Sequence, residues 1–221
     1  MFDKQNGAQL LVRCLEKHNV KYIFGIPGAK VDAIFDALVD SDIEVILCRH
    51  EQNAAFMAAM HGRLTGEPGV VLVTSGPGVS NLATGLLTAT TEGDPVIAIG
   101  ANVPRSMRWK QTHQSLDNAS VIHPVTKRSL EIMNSRNIPE EIENAFRIAV
   151  EPRSGAVFLS IPQDVSLQET KSTPIEPRAP IEHGAAPDDI IQQAARLLNE
   201  AKRPAILLGL NSSRPKYVTA I

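Results

Sequence analysis

The residue whose type and position best suit proton chemistry is Glu51. It lies within the segment 49–55 and follows an apolar run at 43–48, so it falls where a predicted strand passes into a helix. In an open parallel sheet, ligands gather at the carboxyl ends of the strands. The helix dipole favours a carboxylate in the first turn, whereas burial disfavours the ionised form of a carboxyl group. These opposed influences are typical of proton-transferring acids, although most glutamates in a first helical turn are ordinary helix-start residues.

Two further strand-to-helix turns are rich in glycine. Residues 25–30 lie at the end of an apolar run at 22–26, and residues 75–81 follow another apolar run at 70–74. Glycine permits tight turning and lets a ligand approach backbone N–H groups closely. Neither turn is a Walker A loop or the G-x-G-x-x-G dinucleotide motif. Their spacing alone therefore fits a binding turn or an ordinary connection.

Other catalytic patterns are weak or missing in the sequence. The triplet His113-Gln114-Ser115 lies in a long polar stretch at 101–120, where it could bind a small ligand or simply be solvated. The six histidines show no zinc-ligand spacing, and no serine lies in a G-x-S-x-G elbow. We therefore expect neither a protein-only metal site nor a hydrolase triad.

Strand-like and helix-like segments alternate along the first two thirds of the chain. Continuous apolar strands with short connections predict an α/β fold, a doubly wound parallel sheet with helices on both faces. The predicted strands are 22–26, 43–48, 70–74, 95–100 and 156–161, and the predicted helices are 6–18, 31–38, 51–64, 79–91 and 139–149. The 51–64 helix carries a row of small residues, which would let another backbone approach it closely: Ala54, Ala55, Ala58, Ala59 and Gly62.

The composition changes near residue 170 and suggests a domain boundary. We predict one domain over residues 1–169, a proline-rich linker over 170–187, and the start of a second α/β domain over 188–221. The last segment shows one helix at 188–201 and one strand at 204–208. One helix and one strand cannot bury a core, so we expect this second domain to be truncated.

The overall composition excludes several classes of partner. The 221 residues carry a formal net charge of −2 and no basic tract, which argues against binding to nucleic acid or an anionic membrane. No apolar run approaches the ~18–20 residues that span a bilayer. Cys14 and Cys48 are far apart and predicted to be small buried residues, which fits a reducing, cytoplasmic location.

Taken in order, the motifs resemble those of one enzyme family. Four motifs resemble those of the pyrimidine-binding domain of thiamine-diphosphate-dependent enzymes. They are Gly-Ile-Pro-Gly at 25–28, Arg-His-Glu at 49–51, Thr-Ser-Gly-Pro-Gly at 74–78 with Asn81, and Ile-Pro-Gln-Asp-Val at 161–165. Within that family the chain is most similar to acetolactate synthases. Segments 53–59, 92–95, 113–117, 124–127 and 184–189 resemble the catabolic type, and pyruvate oxidase is a near relative that stays an alternative.

The resemblance implies an activity and a set of site residues. Two pyruvate molecules would give 2-acetolactate and CO2, for acetoin and butanediol or for branched-chain amino acid biosynthesis. Glu51 would hydrogen-bond the cofactor's aminopyrimidine, promoting loss of the thiazolium C2 proton, and Gln114 would lie beside the reacting centre. The other implied cofactor-binding residues are Pro27, Gly28, Thr74, Pro77, Gly78 and Asn81, and the implied substrate-side cations are Lys30 and Lys127.

The sequence also departs from the family's pattern. The family holds the diphosphate and Mg²⁺ through a Gly-Asp-Gly motif with a downstream asparagine, and no such motif occurs here. The resemblance therefore places the Mg²⁺ ligands in a missing domain, gives FAD no active role, and implies a homo-oligomer, a dimer or a tetramer. By itself the chain is expected to be inactive. A related decarboxylase fragment and a non-catalytic interaction module remain the alternatives.

Overall fold

The computed structural model describes residues 4–178 and 184–213, and the contacts divide the chain into two units after Arg178. Its strands are β1 Gln5–Asn6, β2 Tyr22–Gly25, β3 Glu44–Leu47, β4 Gly69–Val73, β5 Val96–Asn102, β6 Arg128–Glu131, β7 Ala156–Pro162 and β8 Glu169–Thr170. Its α-helices are α1 Gly7–Lys17, α2 Asp32–Leu38, α3 Glu51–Thr65, α4 Pro77–Ser80, α5 Ala83–Glu92, α6 Asn118–Ile122, α7 Ile138–Val150, α8 Gln163–Ser166 and α9 Asp188–Glu200. Short 3₁₀ turns occur at Arg105–Met107, His123–Val125, Ser135–Asn137 and Leu210–Ser213.

The first unit is built on a six-stranded parallel sheet with helices on both faces. The strand order is β3-β2-β4-β5-β7-β6, and every neighbouring pair is parallel. The short strands β1 and β8 pair antiparallel in a separate ribbon. Because successive side chains point to opposite faces, Val70 and Leu72 pack on one layer and Val71 and Val73 on the other. The predicted α/β fold is confirmed.

The order of the strands creates a crevice between β2 and β4. The chain runs from β2 outward to β3, then returns to the other side of β2 to form β4. Helix α2 packs in the layer with α1 and α7, and α3 packs in the opposite layer with α5. The direction of winding therefore reverses here, and the turns after β2 and β4 separate at their carboxyl ends. A crevice at such a reversal is the usual ligand site of an open α/β sheet.

The small residues of α3 serve internal packing. All five are buried: Ala54, Ala55, Ala58, Ala59 and Gly62. A Cβ added at Gly85 of α5 would lie 2.5 Å from the Ala55 Cβ, and one added at Gly62 would lie 2.3 Å from the Pro95 carbonyl oxygen. The predicted close approach is real, but α5 and the sheet fill it. This face therefore no longer supports an interaction module.

Three features of this unit differ from the predictions. The helix at 79–91 is two helices, α4 and α5, which meet at Asn81 and Leu82. Strand β6 was not predicted because Arg128–Glu131 is largely polar, as an edge strand can be. Cys14 is buried as expected, whereas Cys48 is only half-buried.

The second unit is described over residues 184–213. Helix α9 forms where it was predicted, but none of its residues is buried. The predicted strand at 204–208 is wrong: this segment has no regular structure, since a strand requires a neighbouring strand to satisfy its backbone groups. The domain bounds at 169 and 187 stay predictions, and residues 179–183 of the predicted linker and 214–221 of the predicted second domain lie outside the described residues. In the described ranges, no helix is long and apolar enough to cross a membrane.

Candidate active site

Glu51 begins α3, directly after the carboxyl end of β3. The backbone of His50 is extended, and its Nδ1 accepts a hydrogen bond of 3.1 Å from the Gln52 N–H. This cap satisfies one of the free N–H groups of the first turn. Glu51 therefore projects from the amino end of a fifteen-residue helix and is half-buried. The helix dipole stabilises its negative charge there.

One oxygen of the Glu51 carboxylate is held by Asn81. The Asn81 Nδ2 donates a hydrogen bond of 2.9 Å to Glu51 Oε2. Asn81 lies at the junction of α4 and α5, so the break in the predicted helix is what turns its side chain toward Glu51. Glu51 Oε1 accepts no hydrogen bond from the described residues. The bond to Asn81 therefore sets the carboxylate's orientation and leaves Oε1 available.

Gly78 lies beside this free oxygen, and Gly28 packs closely against Thr74. A Cβ at Gly78 would lie 3.6 Å from Glu51 Oε1 and 3.0 Å from Thr74 Cγ2. A Cβ at Gly28 would lie 2.7 Å from Thr74 Cβ and 2.9 Å from its Oγ1. Gly28 follows β2 and Thr74 follows β4, so their contact is made across the crevice between those strands. The fold thus brings four of the predicted residues together around Thr74.

Two hydroxyl groups in the turn after β4 have no hydrogen-bond partner among the described residues. The Oγ atoms of Thr74 and Ser75 are buried and have no hydrogen-bond partner among the described residues. Buried polar atoms in folded proteins are nearly always paired, so the Thr74 hydroxyl, which lies between Gly28 and Gly78, has capacity for a polar partner. A flat heteroaromatic ring with ring nitrogens and an amino group would meet both the free carboxylate oxygen and the glycine-lined space. These residues therefore fit an aminopyrimidine.

Gln114 reaches the same region through its backbone. A Cβ at Gly76 would lie 2.9 Å from the Gln114 carbonyl oxygen and 3.0 Å from its Cα. Gly76 has φ +61°, a left-handed conformation that a residue with a side chain seldom adopts. Glycine at 76 is thus required twice, for its φ and for the approach of the Gln114 loop. The half-buried Gln114 itself has φ +63°.

Three more predicted site residues, Pro27, Lys30 and Pro77, lie on two turns of the crevice. Lys30 follows Gly28, is half-buried, and has no carboxylate within 4.0 Å among the described side chains. Pro27 and Pro77 are exposed, and Pro77 is the first residue of α4, a position where its missing N–H costs nothing. Lys30 is therefore a cation in the same turn as Gly28, with its charge unpaired.

Lys127 lies at the opposite end of the sheet. It precedes β6, its N–H bonds the Ala156 carbonyl at 2.8 Å, and its aliphatic chain covers Gly155 at the amino end of β7. Its ammonium donates to the backbone carbonyls of Ile148 and of Glu151, the latter at 2.9 Å. Burial lowers the pKa of Lys127, and Glu151 partly opposes this. The structure thus makes Lys127 a cap for the end of α7, and it does not join the residues around Glu51.

A polar cluster that was not predicted from the sequence lies at the carboxyl ends of β5, β6 and β7. It consists of Asn102, Arg108, Glu131 and Ser160, which hydrogen-bond one another. These residues are far apart in sequence and follow no motif, so only the pairing of the strands reveals them. Across residues 4–178 and 184–213, no three His, Cys, Asp or Glu side chains come together in a way that could hold a metal ion.

An open parallel sheet with this carboxylate and these glycine turns at its reversal point defines a ligand-binding α/β domain. Comparison with known families names it: residues 5–121 match the family described as thiamine pyrophosphate enzyme, N-terminal TPP binding domain, and the chain belongs to that family.

Three proteins that are similar to this chain are named acetolactate synthases. The chain is 55% identical to an acetolactate synthase of Bacillus subtilis over 99% of its length and 38% of the relative's. It is 49% identical to a catabolic acetolactate synthase of Raoultella terrigena, over 98% of the chain and 39% of the relative. It is 38% identical to the acetolactate synthase isozyme 1 large subunit of Escherichia coli, over 92% and 36%. The chain thus spans about two fifths of the length of the curated relatives that it matches.

Proposed function

We propose that this chain is the pyrimidine-binding part of an acetolactate synthase, which converts two pyruvate ions and a proton into 2-acetolactate and CO2. The family match and the acetolactate synthases that resemble the chain over nearly its whole length support this reaction. The observation that carries the proposal is the Glu51 carboxylate, held through Oε2 by Asn81 and open at Oε1 beside Gly78.

The residues of the crevice have distinct roles in this proposal. Bound thiamine diphosphate supplies an electron sink for the carbanion that decarboxylation leaves. Glu51 Oε1 would share a proton with a ring nitrogen of the aminopyrimidine, while Asn81 keeps the carboxylate in position. Gly78 would leave the ring its space beside Glu51, Gly28 would let its turn pack against Thr74, and the Thr74 hydroxyl would gain a polar partner. Exclusion of water by the ring would strengthen the Glu51 hydrogen bond, because the local dielectric falls.

The substrate side of the proposed site is formed by Gln114 and Lys30. The Gln114 backbone packs on Gly76, in the turn that carries Gly78, and the Gln114 side-chain amide would bind a small oxo acid there. Lys30 has no carboxylate partner among the described side chains, and its charge suits the carboxylate of pyruvate. Lys127 is left out because its ammonium caps α7.

Further components are expected outside the described residues. The diphosphate and Mg²⁺ need ligands that the crevice does not provide, and we expect them on another domain. The reaction changes no overall oxidation state, so FAD has no electron to carry. We further propose a cytoplasmic homo-oligomer, in line with the composition and with the resemblance to oligomeric enzymes.

The test compares Glu51→Gln with Glu44→Gln in the full-length protein that contains this chain. Glu44 is exposed and begins β3, the strand that ends just before Glu51, so it controls for loss of a carboxylate nearby. Glu51→Gln should slow C2–H/D exchange of bound thiamine diphosphate by about 10²–10⁴-fold, the usual contribution of a general acid–base group. Glu44→Gln should leave it unchanged. Exchange at the wild-type rate in Glu51→Gln would remove Glu51 from the mechanism.

The products formed from pyruvate test the reaction itself. An acetolactate synthase releases CO2 and 2-acetolactate in equal amounts without consuming O2. A pyruvate oxidase would consume O2, and a simple decarboxylase would release acetaldehyde. Either of these results would refute the proposed reaction while leaving the role of Glu51 intact.

A further inference from the structure

The polar cluster of Asn102, Arg108, Glu131 and Ser160 is centred on the buried carboxylate of Glu131. The Glu131 side chain is 6% exposed and accepts three hydrogen bonds: 2.8 Å from Arg108 Nη1, 2.6 Å from Asn102 Nδ2 and 3.1 Å from Ser160 Oγ. Asn102, Glu131 and Ser160 stand at or near the carboxyl ends of three neighbouring strands. A buried charge is stable only when it is paired and hydrogen-bonded, and Glu131 is both.

Arg108 connects this carboxylate to the loop at residues 103–117. Its Nη1 bonds Glu131, its Nη2 lies 3.8 Å from an oxygen of Asp117, and its guanidinium lies 5.2 Å from the centre of the Trp109 ring. Asn102 Nδ2 also donates to the Leu116 carbonyl at 3.3 Å. One buried cluster thus holds both the middle and the end of the loop.

The beginning of the loop is fixed by a separate ion pair. The Arg105 N–H and Nε bond the two oxygens of Asp164 at 3.0 and 2.7 Å, and Arg105 Nη1 donates to the Met133 carbonyl at 2.6 Å. Both partners lie just beyond the carboxyl ends of β6 and β7. The loop is therefore attached to the rigid sheet at three places.

Between these attachments the loop has an unfavourable backbone. Trp109, Gln111 and Gln114 have φ values of +71°, +49° and +63°, which residues with a Cβ adopt at a cost. Such conformations persist only where the surrounding contacts enforce them, and they occur often at functional sites. Here the enforcing contacts are those of Arg108 and Leu116, and the result is the approach of Gln114 to Gly76.

From these contacts we infer that Arg108 and Glu131 are positioning residues for Gln114. The pair holds the strained loop so that the Gln114 amide is presented to pyruvate. This inference rests on the proposed function, because it takes the crevice at Gly76 and Gly78 as the site of reaction. Neither Arg108 nor Glu131 is assigned any contact with substrate or cofactor. Their effect would pass entirely through the loop.

The decisive variant is Glu131→Gln, which keeps the volume of the side chain and removes its charge. A glutamine has one acceptor oxygen and one NH2 group, so it cannot accept from Arg108 on one side and from Asn102 and Ser160 on the other. The matched control is Glu141→Gln. Glu141 of α7 pairs at 2.9 Å with Arg128 of the same strand β6, but at its other end and away from the loop.

The first readout needs neither cofactor nor substrate. In hydrogen–deuterium exchange of the ligand-free full-length protein, Glu131→Gln should speed exchange in peptides covering 106–116 by about fivefold or more, because the loop's local stability falls. The control should leave those peptides unchanged. Wild-type exchange in Glu131→Gln would overturn the inference, whatever the protein catalyses.

The second readout separates positioning from general destabilisation. Glu131→Gln should lower kcat/KM for pyruvate on the order of 10- to 100-fold, as expected for a displaced substrate-positioning group. The thiamine diphosphate concentration for half-maximal activity should change less than about twofold, since binding of the ring depends on other residues. Arg108→Lys, which keeps a charge for Glu131, should lower kcat/KM less than Glu131→Gln does. Equal weakening of cofactor and substrate use would show a merely structural role.

The two proposals fail in different ways. If the wild-type protein formed no 2-acetolactate, the proposed function would be lost while the exchange experiment still tested the loop. If the wild type were active and Glu131→Gln matched Glu141→Gln in both readouts, the positioning role alone would be lost.

Discussion

The hydrogen bond from Asn81 to Glu51 provides the sharpest test of the proposed site. Asn81→Ala removes the donor that lies 2.9 Å from Glu51 Oε2 and leaves Glu51 itself unchanged. The carboxylate keeps its charge and its place at the start of α3, but it loses the contact that fixes its orientation. This variant therefore measures how much the activity of Glu51 depends on the hydrogen bond that orients its carboxylate.

The expected magnitude follows from the chemistry and exposure of the pair. A hydrogen bond to a charged group contributes about 1.5–3 kcal/mol. Both side chains are only partly buried, so solvent screening favours the lower end, about 1.5 kcal/mol. Since about 1.4 kcal/mol is a factor of ten in rate, C2–H/D exchange of bound thiamine diphosphate should slow about tenfold.

The assay measures this exchange by quenched NMR in Asn81→Ala, Glu51→Gln and the double variant. Asn53→Ala is the matched control, since Asn53 is exposed on the same helix as Glu51 and makes no side-chain hydrogen bond among the described residues. Because Asn81 acts through Glu51, the double variant should be no slower than Glu51→Gln alone. Full additivity, or an unchanged rate in Asn81→Ala, would refute the reasoning.

Three further predictions concern the crevice, the far end of the sheet and pH. Gly78→Ala should weaken thiamine diphosphate binding by about tenfold or more because its methyl group fills space next to the Glu51 carboxylate, and isothermal titration against wild type measures this. Lys127→Met should lower the free energy of unfolding by about 1–3 kcal/mol through loss of the α7 cap, with KM for pyruvate unchanged; a raised KM would restore Lys127 to the site. Burial lowers the pKa of His18 in the folded protein, although Glu143 lies 3.2 Å away. The unfolded chain therefore binds a proton at His18 more readily than the folded protein does. The free energy of unfolding, measured with urea, should fall as the pH drops below about 6.5. His18→Phe should remove that part of the pH dependence, and an unchanged slope would contradict it.

The sequence predicted most of the sheet because its signals are local. Continuous apolar runs flanked by glycine or proline marked five of the six parallel strands, and alternation with helices indicated the doubly wound fold. The exception was β6, whose edge position allows a polar sequence. The strand predicted at 204–208 shows the converse, since an apolar run alone does not form a strand without a neighbour.

The site was predictable in type but not in arrangement. The order of the motifs indicated Glu51, Asn81, Gly28 and Gly78, and the structure brings them together around Thr74. No feature of the sequence indicated that Asn81 faces the Glu51 carboxylate. Lys127 was expected at the site on a local match, and the parallel register of β6 and β7 places it at the other end of the sheet.

By itself, the sequence determined the local events of this fold: where strands end, where a helix begins with Glu51, and where glycine permits a tight turn. Each depends on the chemistry of a few adjacent residues. The tertiary structure alone decided which turns face each other, which carboxylate oxygen stays free, and that Glu131 and Arg108 hold the Gln114 loop. Those outcomes depend on strand order and on the reversal of winding between β2 and β4, which bring together residues that are distant along the chain.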